Sequence, residues 1–401
     1  MPGSQPPKRK LIDELGAEFP GRFGAAPELA VRAPGRVNLI GEHTDYSGGL
    51  VLPVAIDRET VIVGALRGDG QLRVHSREAS AGDGLASFAV AEPQRAAGDW
   101  LDYVRGAVEI VAAEAGRRPP GLDLAIASDV PGESGLSSSA AFGVALVTAL
   151  ERAMRLVFEP ADRGRLAHRV EREFVGVPCG IMDQYASALG QRDHALRIDC
   201  RSLEARPVPL PGDALRILVA HSGVRRRLAT GGYGDRAAEC ESARVAAGEV
   251  LARAGRAPPA ALRDLAPSDL PALEDMDPLL FRRLRHVVTE NARVDAFCGA
   301  LAAHDFAAAG RLLREGMASL RDDFEVSVPE LDHLCALGDR AAGVYGSRLT
   351  GAGFGGCTVH LVEAGQADAA AQALAEGFAA RFGRTPPVFA IRAAEGASIL
   401  L

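Results

Sequence analysis

The chain is short of several things, and each shortage excludes a class. Of its 401 residues only one is Trp and five are Tyr, and aromatics make up 5%. Net charge is −7 and pI is about 5.8, which argues against sequence-blind nucleic-acid binding. No uninterrupted apolar stretch reaches the ~18 residues of a membrane span. The start, MPGSQPPKRK, carries charge with no apolar segment behind it, unlike a secretory signal; its Lys8-Arg9-Lys10 run reads as a solvated helix start. The six cysteines (Cys179, Cys200, Cys240, Cys298, Cys335, Cys357) form no CxxC and match no zinc spacing. Reduced thiols in a cytosolic protein are expected.

What is present is globular: 47% hydrophobic and 24% charged residues, in a chain too long for one ordinary core. There is no internal repeat. An amphipathic helix over about Leu11–Phe19 precedes strand-like runs ELAVRAPG, LVLPVAI, TVIVGAL and QLRVHS. A helix follows in DWLDYVRGAVEIVAAEAG, then the strand LDLAIASDV. Later strands are read in HALRIDC, LRILVAHSG, CTVHLVEA and PPVFAIRAA, with helix dominating between the second and third of these and another helix at Ala367–Phe382. The Pro-rich ARPVPLPGD, residues 205–213, is the best candidate boundary, giving domains 1–205 and 206–401 of an α+β protein.

Three segments carry chemistry. VPGESGLSSSAAFG (Val130–Gly143) lies between a strand and an apolar helix. It lacks the GKS/GKT of a Walker loop. Gly132 and Gly135 permit close backbone approach, the helix start offers free N–H groups, and Ser137, Ser138 and Ser139 add hydroxyls for phosphate or a hydrated metal. The alternative is a core helix capped by serine. APGRVNLIGEHTDYSGG (residues 33–49) packs Arg36, Asn38, Glu42, His43 and Asp45 into ten residues. That mixture of donors and acceptors suits a polyhydroxyl ligand; a metal site or a charged surface loop are the other readings. VGVPCGIMDQ sets Asp183 near a helix start after Gly180, as a general base or as a carboxylate favoured by the helix dipole. GAGFGG (Gly351–Gly356) matches GxGxxG but precedes a strand where a dinucleotide fingerprint follows one, so it reads either as a tight backbone passage or as a ligand-lining turn.

Taken together, and in this order, APGRVNLIGEHTDY, GLSSSAA, PCGIMDQ, DHALRIDCRSLE, SLRDDFEVSVPELD and GSRLTGAGFGGC resemble the galactokinases of the GHMP small-molecule kinase superfamily, from about residue 28 onward. The resemblance implies a ribosomal-S5-like N-terminal domain and a ferredoxin-like C-terminal domain with the active site between them. It implies transfer of the γ-phosphoryl of ATP to the C1 hydroxyl of α-D-galactose, with Mg²⁺, by a monomeric cytoplasmic enzyme with no nucleic-acid or membrane partner. By the same resemblance, Asp183 is the base and Arg36 its electrostatic partner. Arg36, Glu42, His43, Asp45, Gly180, Asp183 and Tyr233 hold the sugar. Gly132, Ser134, Gly135, Leu136, Ser137, Ser138, Ser139 and Ala140, with Trp100 near the adenine, hold the nucleotide. Ser139 and Glu171 hold the metal.

The chain departs from the pattern at four places. Glu133 replaces the first glycine of the phosphate loop, and a carboxylate ~4 Å from a phosphate costs about 1–4 kcal/mol. A side chain turned to solvent escapes most of that cost, which is the favoured pose. Gly143 stands where family members carry Glu, Ala352 where some have Gly, and Gly223 where Asn is frequent. These departures bear on ATP affinity more than on sugar identity. Two other functions fit the same residues: a ligand sensor on this fold, and a kinase of a related sugar such as N-acetylgalactosamine.

Overall fold

The computed structural model describes residues 10–78, 84–132, 134–224 and 232–401. The first half is built on a six-stranded sheet. Its strands are β1 (Leu29–Asn38), β3 (Pro53–Arg67), β4 (Gln71–Ser76), β5 (Leu85–Ala89), β6 (Gly121–Ser128) and the terminal β13 (Ser398–Ile399). They lie in the order β13-β1-β3-β6-β4-β5, and only the β4–β6 pair is parallel. α1 (Lys10–Phe23) covers one face, sinking Leu15 and Phe19 onto Val61, Val63 and Ala127. The opposite face is covered by α2 (Asp102–Ala115) and the long apolar α3 (Ser138–Met154), whose valines, leucines and alanines leave little polar surface. A sheet apolar on both faces must be clad on both, which gives the three layers.

α4 (Pro160–Arg169) runs into one π-helical turn, Val170–Val175, before α5 (Met182–Leu189). β2 (Leu50–Val51), β7 (His194–Asp199) and β8 (Ala205–Pro209) form a small antiparallel sheet in the order β2-β7-β8. Residues 205–209 are therefore an edge strand of the first half, where Pro207 and Pro209 are tolerated because an edge needs fewer N–H donors.

The second half has the element order β9 (Leu215–His221), helices α6 (Gly232–Arg253), α7 (Pro278–Ala302), α8 (Phe306–Asp322) and α9 (Pro329–Gly338), then β10 (Val344–Thr350), β11 (Cys357–Glu363), α10 (Ala367–Phe382) and β12 (Val388–Ile391). The sheet order β10-β11-β9-β12, antiparallel throughout, is the split β-α-β-β-α-β arrangement expected of a ferredoxin-like unit. The boundary expected at 205/206 is not a clean cut. The tail returns to the first half: Ala393 bridges Ile56, and Ile399 pairs Val31. One apolar cluster also runs through both halves, joining Val37, Leu52 and Val54 to Phe297, Ile217 and Val359. The two halves are therefore packed against each other.

Candidate active site

Arg36 leaves the sheet at a β1 bulge between Pro34 and Arg36. Gly35 precedes it, and a Cβ there would lie 2.7 Å from the Leu136 carbonyl, so glycine lets loop 130–137 close onto the strand. The Arg36 amide donates to that carbonyl at 3.0 Å. Its guanidinium, almost fully buried, reaches three ways: Nη1 donates to the Gly135 carbonyl at 2.6 Å, while Nε and Nη2 donate to Asp183 Oδ1 at 2.8 and 2.6 Å. Asp183, in the first turn of α5, has its side chain 30% exposed and receives Ser137 Oγ on Oδ2 at 2.6 Å. One carboxylate is thus oriented from both sides and open on a third.

That geometry corrects the expectation that serine caps α3. Ser137 stands at the N-cap position in the left-handed region (φ 61°), and its hydroxyl makes no cap bond. Two half-buried serines follow, Ser138 and Ser139, with Ala140 buried beneath. Leu136 is buried, Ser134 donates to the Pro131 carbonyl at 2.6 Å, and Gly135 has φ 81°. Gly132 is exposed with open space where a Cβ would be. Glu133 lies outside the described residues. Gly143, inside α3, has room for a Cβ, whose nearest neighbour would be the Ala167 methyl at 3.7 Å.

Ser139 faces Glu171 within hydrogen-bonding reach. Glu171 is on the π-helical turn, a distortion common at functional sites. It is buried, accepts from Tyr103 Oη at 3.0 Å and Gln184 Nε2 at 2.7 Å, and burial pushes its carboxyl above the usual range against those bonds. Gln184 Oε1 is buried with no partner. Trp100, just before α2, packs partly buried on the first-half core, one turn before Tyr103.

The segment 38–49 forms the other wall. Asp45 accepts from Tyr233 Oη at 3.5 Å. Burial lifts Asp45 to about 6, nearby Asp183 adds to the rise, and the Tyr46 amide and Arg36 oppose it. Gly180 has no room for a side chain because the Asp45 carboxyl lies where its Cβ would be. His43 is buried in the left-handed region (φ 61°). Its Nε2 donates to the Ala352 carbonyl at 3.0 Å, which leaves Nδ1 to accept from Tyr46 Oη at 3.0 Å. Its ring lies 4.7 Å from that of Phe324 and 5.5 Å from that of Tyr233, in the first turn of α6. Glu42 is buried, bonded to Arg348 Nη2 at 2.5 Å and the Gly351 amide at 3.3 Å. Burial lifts it to about 7 against the pull of Arg348.

The glycine-rich segment 351–356 therefore supports the 38–49 segment through Gly351 and Ala352, and joins β10 to β11. Gly223 has φ 72°, a conformation Asn also tolerates. The structure brings Arg36, Asp183, Ser139, Glu171, Asp45 and Tyr233 together. Sequence reasoning assigned no role to Tyr46, Tyr103, Gln184, Glu290, His286 or Arg348. Tyr46 and Arg348 lay within quoted motifs, whereas Glu290 and His286 lay in a plain amphipathic helix with no local signal. Among the described residues no cluster of three or more His, Cys, Asp or Glu is spaced to hold a metal.

Comparison with known proteins matches three family signatures along the chain. The galactokinase galactose-binding signature covers residues 17–66, the GHMP kinases N-terminal domain 102–191, and the GHMP kinases C-terminal domain 298–380. Galactokinase of Roseiflexus sp. (strain RS-1) is 44% identical over 384 residues, 96% of each chain. The Homo sapiens galactokinase is 42% identical over 402 residues, covering 99% of this chain and 98% of that one. The crystal structure of Lactococcus lactis galactokinase complexed with galactose superposes with TM-score 0.91 at 31% identity, covering 98% of this chain and all of that one. Methanococcus jannaschii mevalonate kinase, at 18% identity and TM-score 0.65, shares the fold.

Proposed function

The chain belongs to the galactokinase family of GHMP kinases and is a sugar kinase that phosphorylates galactose, and we propose that Asp183 is the group that receives the proton of the sugar C1 hydroxyl. The observation carrying this reading is the two-sided hold on Asp183 by Arg36 and Ser137. A carboxylate has about four acceptor positions, and those two partners leave some for a substrate hydroxyl. Arg36 favours the ionised carboxylate and supplies positive charge beside the attacking oxygen and the moving phosphoryl. Because phosphoryl transfer is commonly loose, holding the hydroxyl in line with ATP contributes as much as removing its proton.

The sugar is taken to lie against Asp45, Gly180, Tyr233 and Arg36, with Glu42 and His43 behind them. Both ring nitrogens of His43 already bond within the protein, so its contribution is to hold the wall in shape. The nucleotide phosphates are assigned to the amides of residues 134–140 at the α3 start and to the hydroxyls of Ser138 and Ser139. Gly132 and Trp100 are assigned to the same nucleotide side.

Mg²⁺ fits Ser139 and Glu171: both are oxygen donors, side by side, as a hard cation requires, and the unpartnered Gln184 oxygen adjoins them. When bound there, the ion would neutralise charge on the ATP phosphates. Glu171, lifted by burial, would be held ionised by it. No helix among the described residues is long and apolar enough to cross a membrane; a cytoplasmic enzyme accords with the free cysteines, and the monomeric state is assigned from the family resemblance alone.

A coupled ADP-release assay with MgATP and a sugar panel (D-galactose, 2-deoxy-galactose, N-acetylgalactosamine, glucose, arabinose) tests the reading. Asp183→Ala is expected to lose ~10²–10⁴-fold in kcat while remaining folded. A near-wild-type kcat in that variant removes Asp183 from the chemistry.

A further inference from the structure

Residues 41–43 take their polar partners from the second half of the chain. The Gly41 amide donates to Glu290 Oε1 at 2.8 Å, and the Glu42 carbonyl lies 3.1 Å from His286 Nε2, both on α7. The Glu42 carboxylate meets Arg348 on β10 and the Gly351 amide just beyond it. At the hub, one nitrogen, Arg348 Nη2, bonds Glu42 Oε2 at 2.5 Å and Glu290 Oε1 at 2.7 Å. Arg293 Nε holds the other oxygen of Glu290 at 2.7 Å. Arg348 and Glu290 are fully buried and Glu42 is 1% exposed. Arg348 Nε and Nη1 have no partner, and Gly316 on α8 makes the space for the guanidinium, since a Cβ there would lie 2.5 Å from Nη1.

Two carboxylates sharing one buried guanidinium with idle donors is a poor way merely to fasten elements together. Burying ions costs more than well-packed apolar contacts of the same volume. What the arrangement does provide is direction and charge for Glu42. We propose that Arg348, clamped by Glu290, is a positioning residue for the sugar site: it sets the orientation and charge of Glu42, and so governs galactose affinity without touching galactose. This rests on the reading of residues 42–45 as the sugar side.

The charged and titratable groups facing Glu42 are Arg348 from β10, Glu290 and His286 from α7, and Arg36 from β1; Asp323 and Ser319 lie behind His286 at the α8 end. Burial and Glu290 raise the Glu42 carboxyl, while Arg348 and Arg36 lower it. Galactose affinity should therefore strengthen as pH rises through about 7 and Glu42 ionises.

The test is galactose titration by calorimetry between about pH 6 and 8, together with KM for both substrates. The proteins are the wild type, Glu290→Gln, Arg348→Lys and, as the sugar-side control, Asp45→Ala. Glu290→Gln keeps the shape and removes the competing charge, so the affinity midpoint should move to lower pH. Arg348→Lys, whose shorter side chain leaves the ammonium short of the Nη2 position between the two carboxylates, should weaken galactose ~10- to 100-fold with KM for ATP unchanged. A flat wild-type profile, or an unmoved midpoint in Glu290→Gln, overturns the proposal even if Arg348→Lys does not fold. An unchanged galactose KM in Asp45→Ala as well would show that the sugar-side reading is what failed.

Discussion

The two walls of the proposed site are built on opposite principles. On the side proposed for the sugar, Glu42, His43, Asp45, Tyr46 and Tyr233 are bonded or stacked onto one another and onto α7, β10 and the loop after it. Residue 43 is held in a left-handed conformation there. On the side proposed for the nucleotide, the loop before α3 offers main-chain amides, half-buried hydroxyls and a glycine at 132 with open space about it. Galactose must be told from its epimers, which needs many fixed donors and acceptors whose loss leaves a buried partner unpaired. A triphosphate is recognised by charge, which amides at a helix start supply whatever their side chains are. Substitutions on the sugar wall should therefore be sharp and specific to galactose, and those on the nucleotide wall blunter.

The largest effect is expected where the walls meet. Arg36→Met removes the guanidinium that bonds both Asp183 and the Gly135 carbonyl. It should lower kcat ~10²–10³-fold, as loss of a preorganised charge partner does. A defect confined to one KM would mean that Arg36 serves only one wall.

Asp45→Asn comes next and acts on one wall. Galactose KM should rise ~10- to 100-fold, the cost of losing a charged acceptor, with ATP KM unmoved. The same change has a signature without substrate. Burial raises the folded Asp45 carboxyl to about 6, so the folded chain binds that proton more tightly than the unfolded one. Ionising it then costs the empty protein stability as pH rises from about 4 to about 6. Asn carries no such charge, so the empty variant should melt higher than wild type at pH 7, and the difference should shrink toward pH 4. A lower melting temperature at pH 7 would mean that the Asp45 charge is stabilised in the empty site.

These contrasts were unequally visible in the sequence. The signature around Arg36, Glu42 and Asp45 is contiguous, so its density alone marked it, and the order of strands and helices followed from apolar periodicity. β5 and β10 carry no clean alternation, and β8 looked like a linker because Pro207 and Pro209 are rare in strands except at edges. Ser137 looked like a cap because serine usually is one; only the fold brings Asp183, 46 positions later, within 2.6 Å. Arg348 meets Glu42 across 306 positions of chain and Glu290 meets Gly41 across 249, and no local pattern records such a meeting. Local chemistry was legible and long-range pairing was not.

Ser137→Ala separates the walls at a residue that both claim. Its hydroxyl bonds Asp183, so kcat should fall about tenfold, the worth of one hydrogen bond to a charged group, with ATP KM little changed. A rise in ATP KM at constant kcat would return Ser137 to the phosphates.

The smallest effect sharpens the comparison by leaving the site alone. Gly143 lies buried in α3, one to two turns beyond the serines, where glycine costs about 1 kcal/mol of helix stability relative to alanine. A methyl there would meet the Ala167 methyl at 3.7 Å and its carbonyl at 3.9 Å, ordinary contact distances. Gly143→Ala should therefore raise unfolding stability by about 1 kcal/mol, read from the denaturant midpoint at unchanged slope. If the nucleotide wall works through amides already fixed by Arg36 and Gly35 at the loop base, stiffening the helix behind it leaves both KM values where they were. If ATP KM instead falls with the added stability, the α3 start is being ordered by the nucleotide, and the looser wall owes part of its looseness to this one glycine.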